Sequence, residues 1–267
     1  MASCSKPRPL KARTLFLSDI HLGYRRSRAR ELLDFLQGVE AECIVLVGDI
    51  VDALSLAQRF FWAPEHTQVL RLLLARRRAG VRLVYLPGNH DESLSIAADL
   101  LHGQVEVHRE WVHRTARGQR LLVMHGDQFD HVVACPGWLY WLGDHAYGAA
   151  LALNHGINDL RRRFSAPYLP MFERLKLALP TSARYIARFE QVAAAHAAAE
   201  GYDGIVCGHI HRANLCRIGE ALYCNTGDWV ESCSALIEEP SGELQLRRWP
   251  HRPASQAVPA ALLPDVA

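Results

Sequence analysis

The chain has 267 residues, enough to bury a full hydrophobic core as one large domain or as a domain carrying an insertion. Its formal net charge of +2 argues against a strongly electrostatic nucleic-acid binder. The seven cysteines are odd in number, form no Cys-x-x-Cys pair and lie mostly inside apolar runs, which excludes a disulfide framework and points to a reducing compartment.

The first 13 residues are basic, but only a short apolar run separates them from Asp19, too little for a signal peptide or a membrane span. A cytoplasmic protein is expected. That run, residues 14–18, reads as a strand ending in Ser18-Asp19-Ile20-His21. In an extended segment a carboxylate and an imidazole two residues apart project from the same side, as a metal site needs. An aspartate in a turn beside a surface histidine gives the same pattern. A helical stretch at 28–40 leads to a second apolar run, 43–47, which closes on Gly48-Asp49-Ile50-Val51-Asp52. Asp49 then sits at the same sheet edge as Asp19, placed to bridge two cations, although a plain Gly-Asp turn has the same spelling. Asp52 equally reads as a helix-start carboxylate.

A second helical stretch, 65–79, precedes the run 81–86, which exits at Gly88-Asn89-His90-Asp91. Asn89 offers a neutral carbonyl ligand and His90 an acid. Short apolar runs alternating with helices indicate parallel strands joined by crossovers. Ligands collect outside the carboxyl ends of such strands, where these three glycine-marked exits lie. The run 120–124 exits at His125-Gly126-Asp127.

From 128 to 201 helix-like segments and aromatics replace the strand pattern, and an inserted helical cap is expected there. Its middle interleaves Arg161, Arg162, Arg163 and Arg174 with aromatic and leucine residues. Such a stretch can receive a diphosphate in arginine forks or cover an acyl chain at an anionic lipid surface. It can also be an amphipathic helix pair with a solvated basic face. Residues 186–200 are strong helix formers. The run 204–207 exits at Gly208-His209-Ile210-His211, and the closely spaced runs LCRI, ALYC, SALIE and ELQLRRW complete a second, mainly antiparallel sheet. The expected organisation is a core of 1–127 and 202–250, a cap of 128–201, and a Pro- and Ala-rich disordered tail of 251–267.

The ordered series D-x-H, GDxxD, GNHD, HGD and GHxH, from Asp19 to His211, resembles the calcineurin-like metallophosphoesterases, with all five motifs in family order. The resemblance implies an α/β fold: a two-sheet sandwich flanked by helices, four layers in the order α/β/β/α, with a helical cap insertion. It also implies hydrolysis of a phosphorus ester or anhydride by in-line attack of a hydroxide bridging two divalent metal ions. Residue by residue, Asp19, His21, Asp49 and His211 would hold one ion, and Asp49, Asn89, His125 and His209 the other. His90 would act as proton donor or electrostatic stabiliser, oriented by Asp52. Mixed oxygen and nitrogen ligands suit manganese, iron or zinc, and manganese is expected.

At a finer level the chain is similar to the UDP-2,3-diacylglucosamine diphosphatase branch, on the HGD motif, the helical insertion after it and Asn225-Thr226-Gly227-Asp228-Trp229. That resemblance implies a nucleotide-linked or lipid-linked diphosphate substrate in lipid A synthesis, peripheral contact with the cytoplasmic face of the inner membrane, and no nucleic-acid partner. His90 stands where that branch has arginine, so a related diphosphate is equally open. Three other readings remain: a soluble phosphoesterase acting on nucleotides, cyclic nucleotides or phosphoproteins, a non-catalytic metal-binding scaffold, and a nuclease.

Overall fold

A computed structural model describes residues 9–93, 105–133 and 180–249, together with 157, 160 and 161. Strand β1 (Leu10–Leu17) is followed by helix α1 (Ala29–Gln37), whose Ala29, Leu32, Leu33 and Leu36 recur every three or four residues and form one buried face. The helix ends before residue 40, the expected limit, because Val39 already pairs with Leu10 as the first residue of β2 (Val39–Val47). Helix α2 (Ala53–Gln58) is capped by Asp52, whose side chain accepts from Ser55 N at 2.8 Å. Helix α3 (Pro64–Arg78) begins on a proline, which costs nothing in the first turn, and leads into β3 (Arg82–Leu86).

The first sheet has the order β11-β10-β1-β2-β3-β4, where β4 is Glu106–Val107, β10 is Ser234–Glu238 and β11 is Leu244–Arg248. β1 to β4 are parallel, and β10 and β11 add antiparallel to the β1 side. The second sheet runs β5-β6-β7-β9-β8, with β5 Trp111–Arg114, β6 Arg120–Val123, β7 Gly204–Cys207, β8 Asn214–Ile218 and β9 Ala221–Asn225. Its centre, β6-β7-β9, is parallel, and the edge strands β5 and β8 are antiparallel.

This corrects the expectation of a mainly antiparallel second sheet containing SALIE and ELQLRRW. Those runs are β10 and β11 of the first sheet. Every residue of β10 is buried, as a strand with neighbours on both sides and layers on both faces requires. A short apolar run encodes burial but not the identity of its partner, so its sheet could not be read from the sequence.

Three apolar layers follow. Phe16, Val45, Val47, Val84, Leu121, Val123 and Val206 fill the space between the sheets. Leu15, Leu17, Leu46 and Leu83 pack outward against α1 and α3. On the far side, helix α4 (Pro180–Ala199) buries Ile186, Phe189, Ala193 and Ala197 against Leu122, Ile205 and Tyr223. Residues 186–200, read from sequence as the end of the insertion, thus lie largely in a helix that covers the second sheet. The result is the expected α/β/β/α sandwich. The rest of the expected cap, with Arg162, Arg163 and Arg174, and the tail of 251–267 lie outside the described residues; Arg161 is half-buried in a helical turn. No helix among the described residues is long and apolar enough to cross a membrane.

Candidate metal centre

The five motifs leave the carboxyl ends of β1, β2 and β3 in one sheet and β6 and β7 in the other, and they meet at one rim. Each exit turns sharply. Asp19, His21, Asp49, His209 and His211 have φ values of 51, 52, 54, 69 and 51°, in the left-handed region that residues with a Cβ enter at a cost. The surrounding loops enforce it: Asp19 N donates to Gly48 O at 3.0 Å, His21 N to Asp49 O at 2.9 Å and Gly208 N to His125 O at 3.0 Å. The glycines permit the close approach. A Cβ at Gly48 would overlap the His125 ring, and one at Gly88 the Asp49 carboxylate.

Ligand atoms gather in three overlapping groups: Asp19, His21 and His211; His21, Asp49 and His90; and Asp19, Asp49 and His125. His211 Nε2 lies 3.2 Å from Asp19 Oδ1 and 3.3 Å from His21 Nε2. Asp49 Oδ2 faces His125 Nε2 at 3.4 Å and His21 Nε2 at 3.8 Å. Asp49 joins the second group to the third, as His21 joins the first to the second and Asp19 the first to the third. Burial by itself would raise the pKa of its carboxyl, yet the rings of His125, His21 and His90 hold it well below the usual carboxylate range. Burial likewise opposes charge on His125, but Asp49 and Asp19 push that ring up to about 10.

His125 supplies the test of whether a cation fits. In the neutral ring Nδ1–H donates to Val47 O at 3.0 Å and the lone pair lies on Nε2. Nε2 is wholly buried and has no hydrogen-bond partner. A lone pair held against a carboxylate is repulsive unless a proton or a cation lies between them. Two carboxylates and several imidazoles converging in this way form the mixed oxygen and nitrogen donor set that suits divalent ions of intermediate softness.

The other expected residues surround this cluster. Asp52 binds two rings at once, with Oδ2 3.2 Å from His21 Nδ1 and Oδ1 3.0 Å from His90 Nδ1. Burial opposes protonation of His90, but the hydrogen bond to Asp52 together with the charges of Asp49 and Asp52 outweighs it and raises the pKa of the ring. Asn89 is exposed on the third loop, and its neighbour His90 donates its backbone N–H to Asp49 Oδ1 at 2.9 Å. His209 donates its backbone N–H to Asp19 Oδ2 at 3.0 Å, and its Nε2 lies 2.9 Å from Asp130 Oδ2.

Four supporting residues carried no role in the sequence analysis. Asp91 is fully buried and accepts from Gly88 N and Ile50 N, both at 2.7 Å, which locks the second and third loops together. Ser18 hydrogen-bonds the Asp19 carboxylate and contacts Thr226 Oγ1 at 2.5 Å. Asn225 Nδ2 donates to Gly208 O at 2.6 Å and positions the last histidine loop. Asp130 approaches His209 from the segment after HGD. Ser18, Asp91 and Asn225 stood inside quoted motifs, so their presence was a signal; the groups they hold were not legible.

The profile of the calcineurin-like phosphoesterase family matches residues 12–213. No curated protein matches the chain. Among solved structures, an archaeal phosphodiesterase is 11% identical, with a TM-score of 0.44 over 88% of this chain and 98% of its own. The phosphoesterase YfcE from E. coli is 16% identical, with a TM-score of 0.43 over 88% and 98%. Vps29 from Entamoeba histolytica, solved with zinc, is 13% identical, with a TM-score of 0.40 over 89% and 98%.

Proposed function

This chain belongs to the calcineurin-like phosphoesterase family and is a metal-dependent phosphoester hydrolase, and we propose that it cleaves the pyrophosphate of a lipid-linked diphosphate, UDP-2,3-diacylglucosamine or a close relative. The observation that carries metal-dependent hydrolysis is the overlap of three ligand groups through His21, Asp19 and Asp49. In this reading Asp19, His21, Asp49 and His211 hold one ion, and Asp49, Asn89, His125 and His209 the other, with manganese as the metal.

Divalent cations held by these residues would acidify water and supply positive charge against the phosphoryl oxygens. The chain's own groups do the rest. Asp49 presents one oxygen to both His21 and His125, while its other oxygen is fixed by His90 N, so its carboxylate stays oriented between the two ligand sets. Asp52 holds His90 through Nδ1, which leaves Nε2 to give a proton to the departing oxygen. Its second oxygen orients His21.

The lipid-linked part of the reading is supported by the rim beside His90 and Asp52. Leu54 and Phe60, 51% and 77% exposed, project from α2 and the turn after it, and the Arg25 guanidinium lies 4.6 Å over the Phe61 ring. Segments 22–28 and 53–63 contain arginines and no acidic residue. Apolar side chains among arginines suit an acylated, anionic substrate at the inner-membrane surface. A second reading, a soluble nucleotide or phosphodiester substrate, is favoured by His90 in place of the arginine of the diacylglucosamine branch.

Phosphorus NMR of products decides between them. With manganese and detergent-dispersed UDP-diacylglucosamine, the lipid reading expects two phosphomonoesters, no inorganic phosphate, and slower turnover of soluble diesters. Rapid cleavage of soluble diesters with the lipid untouched removes it.

A further inference from the structure

Beside the candidate metal cluster, a chain of hydrogen bonds between half-buried groups ends on His209. Tyr185, on α4, donates its hydroxyl to Asp130 Oδ1 at 2.7 Å. Asp130 Oδ2 lies 2.9 Å from His209 Nε2. The segments involved are far apart in the chain: the short helix Asp130–Val133 after HGD, the helix over the second sheet, and the loop after β7.

A carboxylate can only accept here, so the proton of a neutral His209 ring sits on Nε2 and its lone pair on Nδ1. Two ring contacts fix the plane of the imidazole. It meets the His125 ring edge-on at 5.2 Å between centroids and lies tilted on Phe189 at 6.1 Å. The backbone is held as well, through His209 N on Asp19 Oδ2. The ring plane, the Nε2 end and the backbone of this side chain are thus each held by a contact, and Nδ1 is the ring nitrogen not engaged by Asp130. The Tyr185 hydroxyl in turn fixes the second oxygen of Asp130, so the carboxylate cannot rotate away.

We infer that Asp130 is a positioning residue, held by Tyr185, which fixes the tautomer and orientation of His209 so that Nδ1 is presented to a divalent cation. The inference deepens the proposed function and rests on its assignment of His209 as a metal ligand. Carboxylate partners of this kind keep a ligating histidine in one tautomer and raise its basicity, and their loss typically weakens metal binding 10- to 100-fold. The arrangement makes α4 part of the site although it contributes no ligand itself.

The test is calorimetric titration of the metal-stripped full chain with Mn²⁺, alongside nitrogen-15 NMR of the histidine rings. The parent is expected to bind two ions and to show His209 as the Nε2–H tautomer. Asp130→Ala is expected to weaken one binding event about 10- to 100-fold, leave the other within about twofold, and lose the single tautomer. Tyr185→Phe, which removes only a hydroxyl, guards against a folding defect and should weaken the same event by a few-fold. Unchanged affinities for both ions in folded Asp130→Ala and Tyr185→Phe, with the His209 tautomer retained, overturn the positioning role and leave the proposed function standing. A parent that takes up no Mn²⁺ overturns both.

Discussion

At the scale of single residues, this centre concentrates backbone cost where it concentrates ligands. Five of the side chains expected to bind metal sit at positive φ, and glycines at positions 48, 88 and 208 leave room where any Cβ would strike a ligand or its neighbour. Such strain persists only when the surroundings over-determine it, and here Asp91 does so by holding the backbone of Gly88 and Ile50. Asp49 is the residue with most dependents, since its two oxygens serve His21, His125 and His90 N. Asp49→Ala should therefore abolish both metal retention and turnover, read by metal analysis of the purified variant beside a phosphodiester assay; full metal content would refute its place between the ions. His90→Ala should behave oppositely, retaining metal and losing about 10²- to 10⁴-fold in rate, the usual worth of a general acid. Identities and spacing made Asp19, His21, Asp49, His125 and His211 legible as a set. The roles of Asp91 and Asp130 were not, because a carboxylate that accepts from distant groups has no local spelling.

Among the elements, α2 and α4 connect the scaffold to the chemistry. The start of α2 is set by Asp52, which caps Ser55 N while its carboxylate also binds His21 and His90. One side chain thus caps the helix and contacts two histidine rings. Helix α4 closes the outer face of the second sheet, and Phe189 is its most buried aromatic, edge-on to Phe129 at 5.7 Å. Phe189→Ala should cost about 3–5 kcal/mol of stability, the range for truncating a core aromatic, measured by urea unfolding. Since Phe189 also lies against the His209 ring, the same variant should weaken metal binding. Strand ends were easy to place from sequence, because glycine and polar residues break an apolar run. Strand partners were not: β10 and β11 joined the first sheet because the loop after β9 returns beside β1, where Trp229 N donates to Asp19 O at 3.0 Å.

For the molecule as a whole, the question is what keeps two sheets in fixed relation so that ligands from both converge. Besides the apolar layer, a polar clamp joins them away from the candidate metal centre. Glu238 of β10 is fully buried and accepts from Arg13 Nη1 at 2.8 Å, lies 2.7 Å from His113 Nε2 of β5, and accepts from Ala116 N at 2.7 Å. Burial by itself would raise the Glu238 pKa, but the hydrogen bonds from His113 and Ala116 outweigh it and hold the carboxyl below its ordinary value of 4.5. A carboxyl with a depressed folded-state pKa stabilises the fold fully above its unfolded value, and that contribution is lost as pH falls through the folded value. The parent should therefore lose stability on acidification below about pH 4.5, and Glu238→Gln should be less stable at neutral pH with a flatter acid dependence. Thermal melts from about pH 7 to 3 check this, and parallel curves for parent and variant would exclude the clamp as the source.

By itself the sequence determined the class of chemistry, the family and a set of candidate ligands, because a metal centre demands particular side chains at strand ends and those demands are written locally. The tertiary structure alone decided which sheet each late strand joins, and that Asp130, Asp91 and Glu238 hold remote segments in register. The physical reason is the same throughout: apolar periodicity and turn residues act over a few positions, whereas coordination, hydrogen bonding and charge pairing act across whatever distances the folded chain has closed.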